Sequence, residues 1–255
     1  MTDHPDEGRV DQEQTLLSHL VELRTRLIHT IIVILLIFAG LVAFSSEIYS
    51  AIATPLISRM GENSSMIATE VASTFLVPFK LTMFLALYLS MPYVLYQIWA
   101  FVAPGLYSRE RRFVFPLLFS SIILFYLGTA FAFFVIFPVL FSFFNSVAPA
   151  GVLVMTDISH YLNFVLKLFF AFGMAFEVPI ATILLIRTGI TTVESLTRKR
   201  PYIIIGAFAI GMLLTPPDVF SQTLLAVPIW LLFELGLYFS RYFMPATEAT
   251  AEEKG

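Results

Sequence analysis

The chain has 255 residues, of which 58% are hydrophobic and 13% are charged, and its mean hydropathy is +0.85. Soluble domains carry about 25% charged residues, so this composition excludes an ordinary soluble protein and indicates a polytopic membrane protein. The formal net charge of -3 says little about partners, and no nucleic acid is expected among them. Cysteine is absent and the histidines lack metal-ligand spacing, so neither disulfides nor a metal or other cofactor is expected.

The N-terminal region predicts a polar tail followed by a surface helix. Residues 1–14 are expected to be disordered, and the leucines from Leu16 to Leu27 then recur at helical spacing. The acidic start of the chain differs from a basic secretory leader, so the first apolar run is interpreted as a retained span. Glu22 stands four residues before Arg26, and this order favours a helical ion pair that would explain Glu22 without any function.

Six apolar runs follow, and they predict an all-α membrane domain over residues 15–242, with six transmembrane helices and an acidic disordered tail at 243–255. The last two runs are shorter than the about 20 residues needed to cross a bilayer. They are therefore expected to thin the membrane or to tilt very little. The runs are 27–44, 75–101, 113–137, 161–186, 201–214 and 224–239.

The distribution of basic residues predicts the orientation of the chain. Twelve of the fifteen Lys and Arg residues lie in the two tails and in the second and fourth loops. An even number of spans puts these segments on one side, and the positive-inside rule assigns that side to the cytoplasm. Both termini are thus expected to be cytoplasmic.

Prolines recur inside the runs, where each removes a helical hydrogen bond and permits a bend. Bent helices of this kind are expected to form a concave, cup-like wall. These prolines are Pro78, Pro92, Pro116, Pro138, Pro179 and Pro228.

Two connections carry polar residues that have both an ordinary and a functional interpretation. In the second loop, Pro104 and Gly105 end a helix, and Glu110 then either neutralises its arginine neighbours or binds a ligand. In the turn 215–222, Asp218 is suited to cap the helix that follows. Local charge balance and capping are the functionally neutral explanations for the two acids.

Glu177 lies inside the fourth apolar run, roughly 15 Å from the nearer membrane surface by helical rise. An acidic side chain at that depth costs about 2.5 to 3.5 kcal/mol, so it is expected to face a polar cavity, carry a partner or be protonated. We favour a functional role. The alternative is a neutral glutamic acid bonded to a carbonyl that Pro179 leaves free.

Five ordered motifs within 14–242 resemble those of the TatC family, the multispanning receptor subunit of the twin-arginine protein translocase. Each motif alone is weak, but together and in order they are specific. The motifs are Ser18-His-Leu-Val-Glu-Leu-Arg24, Ala53-Thr-Pro55-Leu56, Phe101-Val-Ala-Pro104-Gly-Leu-Tyr107 with Glu110, Phe176-Glu-Val-Pro179 and Leu214-Thr-Pro-Pro-Asp218.

The resemblance implies a non-enzymatic subunit of the bacterial inner membrane that binds twin-arginine signal peptides and helps to export folded proteins. It places Glu22 and Glu110 in the signal-peptide site, with Arg24, Phe101 and Arg112 as neighbours. It also assigns roles in structural or functional loops to Pro55, Pro104 and Asp218.

By the same resemblance, the partners are single-span subunits of the TatA and TatB kind, within a complex that also contains further copies of this chain. These subunits are expected to dock along the fifth and sixth spans, where Met212, Thr215 and Gln222 lie, while Glu177 lines the concave face. The main alternative is a proton-coupled secondary transporter that uses Glu177, but no second buried polar cluster is evident. An intramembrane hydrolase is a third alternative, but the apolar runs of this chain lack the catalytic residues that such an enzyme needs.

Overall fold

A computed structural model describes residues 7–57, 66–102, 114–147, 156–215 and 218–242, and their fold is helical apart from two very short strands. This agrees with the expected all-α class. A 3-10 turn at Val42–Phe44 and a π-helical turn at Ala132–Ile136 join consecutive helices. The helices are α1 (Glu7–Leu41), α2 (Ser45–Ile57), α3 (Ser73–Val102), α4 (Val114–Phe131), α5 (Phe137–Val147), α6 (Ile158–Ala175), α7 (Val178–Arg187), α8 (Val193–Arg198), α9 (Arg200–Leu214) and α10 (Val219–Tyr242).

Five helical segments among the described residues are long and apolar enough to cross a membrane. The remaining apolar helix, α9, has 15 residues, which at 1.5 Å per residue is about 22 Å and falls short of a hydrocarbon core of about 30 Å. The sixth span and the orientation of the termini therefore stay predictions. The five segments are His19–Thr54, Ser73–Val102, Phe115–Phe144, Ile158–Arg187 and Val219–Ser240.

The boundaries of two helices differ from the expectation. The sixth span is longer than the apolar run that predicted it, because α10 has 24 residues and includes the polar Ser221 and Gln222 in its first turn. Asp218 starts this helix as predicted, since its Oδ1 accepts a hydrogen bond from the backbone N–H of Ser221 at 2.7 Å. At the other end of the chain, α1 already begins at Glu7, within the tail expected to be disordered. Apolar runs mark where a helix is buried in lipid rather than where it begins.

The regular α-helix is interrupted near two of the predicted prolines, Pro138 and Pro179. The π-helical turn ends two residues before Pro138, whose ring would meet the carbonyl of residue 134 in a regular helix. The fourth span breaks between α6 and α7, where Pro179 occupies the first turn of α7. By contrast, α3 continues through Pro78 and Pro92 as one helix. The concave wall remains a prediction.

The core is built from aromatic and aliphatic side chains around α6, which packs on α4 and on the π-helical turn, and it includes Leu225 of α10. At the contact of α4 with α6, Gly128 lies so close to Phe172 that a Cβ atom would overlap the Phe172 carbonyl oxygen and the Phe176 ring. Glycine is thus required for this approach. The buried residues of the main cluster are Ala132, Ile136, Phe137, Leu140, Tyr161, Val165, Leu168, Phe172 and Leu225.

Strands β1 (Met66–Ile67) and β2 (Thr156–Asp157) form a short parallel pair, with Met66 opposite Thr156 and Ile67 opposite Asp157. The pair joins the connection between α2 and α3 to the connection between α5 and α6. Both connections therefore lie at the same end of the helical bundle.

Candidate functional site

A cluster of polar side chains lies where α1 packs along α3. Arg26 donates from Nε and Nη2 to Glu22 Oε1, at 2.9 and 2.6 Å, so the predicted helical ion pair between these residues is present. Arg26 also donates from Nη1 to Gln97 Oε1 at 3.1 Å, and Gln97 Nε2 donates to the Tyr93 hydroxyl at 2.6 Å. We call Glu22, Arg26, Gln97 and Tyr93 the α1–α3 polar cluster.

The α1–α3 polar cluster borders a cavity of about 450 Å³ that opens to the surface. The side chains of Glu22 and Arg26 are 35% and 25% exposed, so both are accessible to a ligand. The cavity thus combines a carboxylate, hydroxyl and amide groups, and aromatic rings. Its lining residues are Glu22, Thr25, Arg26, His29, Tyr93, Tyr96 and Gln97.

Phe101 reaches the same region through His19. The two rings stack with their centroids 4.2 Å apart and an interplanar angle of 21°. His19 Nδ1 in turn lies 3.9 Å from Glu22 Oε2, the carboxylate oxygen that Arg26 does not contact. The structure therefore brings the predicted residues Glu22 and Phe101 to one site, with His19 between them.

The remaining predicted residues of the peptide site lie only partly within the described residues. Arg24 is exposed on α1, two positions from Glu22. Glu110, Arg112 and Pro104 lie outside the described residues, so their proximity to Glu22 stays a prediction. Pro55 lies within α2.

Sequence reasoning missed Gln97 and Tyr93, although a signal was present. The two polar residues are four positions apart in a mostly apolar helix, and this spacing puts them on one face of α3. Their link to α1 depends on how the two helices pack, which the separate helical patterns did not define.

Glu177 lies at the break between α6 and α7 and is half-buried. Ser121 of α4 is its polar neighbour, and the Ser121 hydroxyl accepts a hydrogen bond from Trp99 Nε1 at 3.1 Å. Glu177 Oε1 is buried without a hydrogen-bond partner among the described residues. A polar cluster of Trp99, Ser121 and Glu177 thus joins α3, α4 and the broken fourth span.

The three residues predicted to contact partner subunits differ in exposure. Met212 is 56% exposed, whereas Thr215 is only 6% exposed and donates its hydroxyl hydrogen to the Gly211 carbonyl at 2.9 Å. Gln222 is half-buried, and its backbone lies 3.4 Å from the position that a Cβ atom on Gly211 would occupy. Met212 is therefore the most accessible of the three, and the Thr215 hydroxyl is already used within α9.

An ion pair between two different helices was not predicted. Arg200 Nη2 at the start of α9 lies 2.6 Å from Glu234 Oε2 in α10, with side chains 42% and 24% exposed. Only four residues separate the end of α9 from the start of α10, so the two helices are expected to be antiparallel neighbours, and counting outward from their connection on both sides would have paired Arg200 with Glu234.

Comparison with known proteins assigns the chain to a family. The family model "Sec-independent protein translocase protein (TatC)" matches residues 18–228. The TatC protein of Haemophilus influenzae is 58% identical over 96% of this chain and 95% of its own length. The TatC protein of Escherichia coli K12 is 56% identical over 92% of this chain and 91% of its own.

A solved structure agrees with this assignment. The crystal structure titled "Twin Arginine Translocase Receptor- TatC" superposes with a TM-score of 0.79 at 34% sequence identity, covering 88% of this chain and 98% of the solved one. Fold and sequence therefore give the same answer, and the chain belongs to the TatC family of Sec-independent protein translocase subunits.

Proposed function

We propose that this translocase subunit is the receptor for twin-arginine signal peptides, and that it binds them on the cytoplasmic face of the bacterial inner membrane. The observation that carries the proposal is the Glu22 carboxylate, which borders an open cavity beside Phe101 and already binds one guanidinium group, that of Arg26. The name "Twin Arginine Translocase Receptor" of a solved relative supports the same role.

The chemistry of the site favours arginine over lysine. A guanidinium is a planar fork that pairs with a carboxylate through two parallel hydrogen bonds, whereas an ammonium is a compact point charge. We propose that Glu22 takes one arginine of the tandem pair and Glu110 takes the other, with Arg24 and Arg112 as neighbours. The stacked rings of His19 and Phe101 beside Glu22 would exclude water and strengthen the charged contact.

The orientation of the chain is part of the proposal, because the peptide site must face the compartment where the cargo is made. The count of lysines and arginines puts both termini and the second and fourth loops in the cytoplasm. The α1–α3 polar cluster would then lie at the cytoplasmic surface. The sixth span would be the short helix α9, crossing a locally thinned bilayer.

We further propose that single-span subunits of the TatA and TatB kind dock on α9 and α10, and that several copies of the chain share one complex. Met212 and the side chain of Gln222 are the contacts available to them. The Thr215 hydroxyl is bonded within α9, so it has a positioning role in this proposal rather than a direct bond to the partner. Interhelical hydrogen bonds in membranes contribute about 0.6 kcal/mol on average, so contacts of this kind would be reversible.

Glu177 is proposed to meet a partner or signal-peptide helix, because its buried Oε1 atom still lacks a hydrogen-bond donor among the described residues. The transporter alternative would make Glu177 a proton carrier. Membership of a protein translocase family favours the first role.

The test is a binding titration of purified protein with signal peptides that carry Arg-Arg or Lys-Lys. Glu22→Gln should weaken binding of the Arg-Arg peptide by about 1.5 to 3 kcal/mol, the usual value of a charged hydrogen bond. Glu22→Gln combined with Glu110→Gln should cost less than the sum of the single changes, because both residues act on one peptide segment. Undiminished arginine preference in the double variant would place the recognition surface elsewhere.

A further inference from the structure

The Glu22 carboxylate already has a partner within the chain, Arg26, and this partner carries the same chemical group that the proposed ligand presents. Arg26 contacts Glu22 Oε1 through two of its nitrogens and Gln97 Oε1 through the third. We infer that Arg26 is an internal competitor for the Glu22 carboxylate, and that Gln97 holds its guanidinium when a peptide arginine displaces it. This inference rests on the proposed function.

The geometry requires displacement rather than simple addition. A bidentate guanidinium–carboxylate pair uses both carboxylate oxygens. In Glu22, Oε1 carries two bonds from Arg26, while Oε2 faces His19 at 3.9 Å. A peptide arginine that pairs with both oxygens must therefore replace Arg26 on Oε1. A second guanidinium placed beside the first would also add like charge.

The α1–α3 polar cluster supplies a place for the displaced side chain. Gln97 Nε2 donates to the Tyr93 hydroxyl at 2.6 Å, and this bond directs the amide oxygen of Gln97 towards Arg26. The cavity of about 450 Å³ beside these groups provides room for the movement. Arg26 would keep one charged hydrogen bond throughout, so the exchange never leaves its guanidinium without an acceptor.

The consequence is a threshold for binding. An internal competitor reduces the apparent affinity of every ligand that uses Glu22 by the same factor. The size of this factor depends on the fraction of molecules in which the Glu22 carboxylate is free. For a peptide with a single arginine, the displacement of Arg26 takes away part of the free energy that its contact with Glu22 contributes. A tandem pair gains a second carboxylate contact and exceeds the threshold, whereas weak cationic peptides are not retained.

The test uses Arg-Arg and Lys-Lys signal peptides and the whole protein in detergent. Arg26→Gln removes the competitor, so both peptides should bind roughly three- to tenfold more tightly, given the strength of a partly exposed charged pair. Arg26→Lys retains the charge but cannot bridge Glu22 and Gln97 as a fork. Its affinity should therefore lie between those of the wild type and Arg26→Gln.

A matched control separates competition from net charge. Arg198→Gln removes an exposed arginine from α8 and should leave the affinity unchanged. Gln97→Leu removes the group that holds displaced Arg26, so it should weaken peptide binding in the wild-type background and have no effect in the Arg26→Gln background. That difference would show that Gln97 acts through Arg26.

Three results would overturn the inference. Equal or weaker binding by Arg26→Gln, in protein that unfolds at the wild-type temperature, would mean that Arg26 positions the carboxylate. Equal tightening by Arg198→Gln would mean that only net charge matters. Binding by the wild type that does not depend on Glu22 would overturn the proposed function as well, and the wild-type and Glu22→Gln titrations alone would reveal it.

Discussion

The carboxylate of Asp157 binds Thr69, which lies 88 residues earlier in the chain: Oδ2 accepts hydrogen bonds from the backbone N–H and the hydroxyl of Thr69, at 3.0 and 2.6 Å. Its other oxygen, Oδ1, accepts from the backbone N–H groups of Ser159 and His160, both at 2.9 Å, and so caps α6. The Asp157 side chain therefore caps the start of α6 and also stabilises the β1–β2 pair, which links the connection before α3 to the connection before α6.

These bonds predict a pH-dependent stability. The Thr69 hydroxyl and the backbone N–H groups of His160, Thr69 and Ser159 hold the pKa of Asp157 well below its usual range. A carboxyl with a depressed folded-state pKa contributes stability that is fully present above its unfolded pKa of about 3.9 and is lost as the pH falls below it. Asp157→Asn should therefore unfold at a lower temperature than wild type at pH 7, and this difference should shrink below about pH 4.

The Asp157→Asn variant tests the contact between the two connections separately from the cap of α6. Its single carbonyl oxygen still caps α6, but its amide NH₂ then faces the donors of Thr69. As a control, Glu47→Gln alters an exposed carboxylate that accepts only from the adjacent Ser46 hydroxyl among the described residues. Its unfolding temperature should follow that of the wild type. A gap between Asp157→Asn and wild type that stays constant from pH 7 to pH 3 would show that the charge of Asp157 is irrelevant.

Rules that involve only neighbouring residues predicted an ion pair, a helix cap and a helix break in this protein. The Glu22–Arg26 pair follows from helical spacing, and the Asp218 cap follows from an acid placed just before a helix. The break before Pro179 follows from the missing backbone donor. Each of these needs only residues within about one helical turn.

The features that sequence analysis missed depend on how separate elements pack. The Asp157–Thr69 bonds and the contact of Arg26 with Gln97 join residues 88 and 71 positions apart, and no spacing rule reaches that far. Helix ends were also misjudged, since α10 begins at Val219 with polar residues in its first turn. Hydrophobicity reports the environment of a side chain, whereas backbone hydrogen bonds decide where a helix begins.

The close approach of α4 and α6 predicts a strong effect at Gly128. Gly128→Ala would place a methyl group against the Phe172 carbonyl and the Phe176 ring, and overpacking of this kind costs about 1 to 3 kcal/mol. The variant should therefore unfold at a lower temperature in detergent. Gly40→Ala is the matched control, because no atom outside its own helix lies within 4 Å of the new methyl group. An equal response of both variants would contradict the proposed overlap.

The proposed orientation can be tested directly because the natural chain has no cysteine. Val71 is 97% exposed near β1, and Glu194 is exposed in α8. A membrane-impermeant thiol reagent added outside cells with a permeable outer membrane should label Val71→Cys at once. It should label Glu194→Cys only after the inner membrane is opened. The reverse pattern would place the proposed peptide site on the wrong side.

The Arg200–Glu234 ion pair predicts energetic coupling between α9 and α10. Arg200→Gln or Glu234→Gln alone leaves a partly buried charge without its partner, while the double variant removes both charges. The double variant should therefore be more stable than the sum of the single effects suggests, with a coupling free energy of about 1 kcal/mol. Additive changes in the free energy of unfolding would show that solvent already screens the pair.

Glu177 is the acid whose replacement should separate folding from transport. Its Oε1 atom is buried without a hydrogen-bond partner among the described residues, and Ser121 is its polar neighbour. Glutamine keeps a hydrogen-bonding group of the same size, alanine removes it, and lysine puts an unpaired cation where charge costs about 2.5 to 3.5 kcal/mol. All three variants should insert and fold, while export of a twin-arginine reporter should fall least for Glu177→Gln and most for Glu177→Lys.

Insertion is checked by membrane fractionation and export by the reporter's activity outside the inner membrane. Wild-type export by Glu177→Ala would mean that the fold merely tolerates this carboxyl, since a group that serves a partner or signal helix cannot be removed without loss.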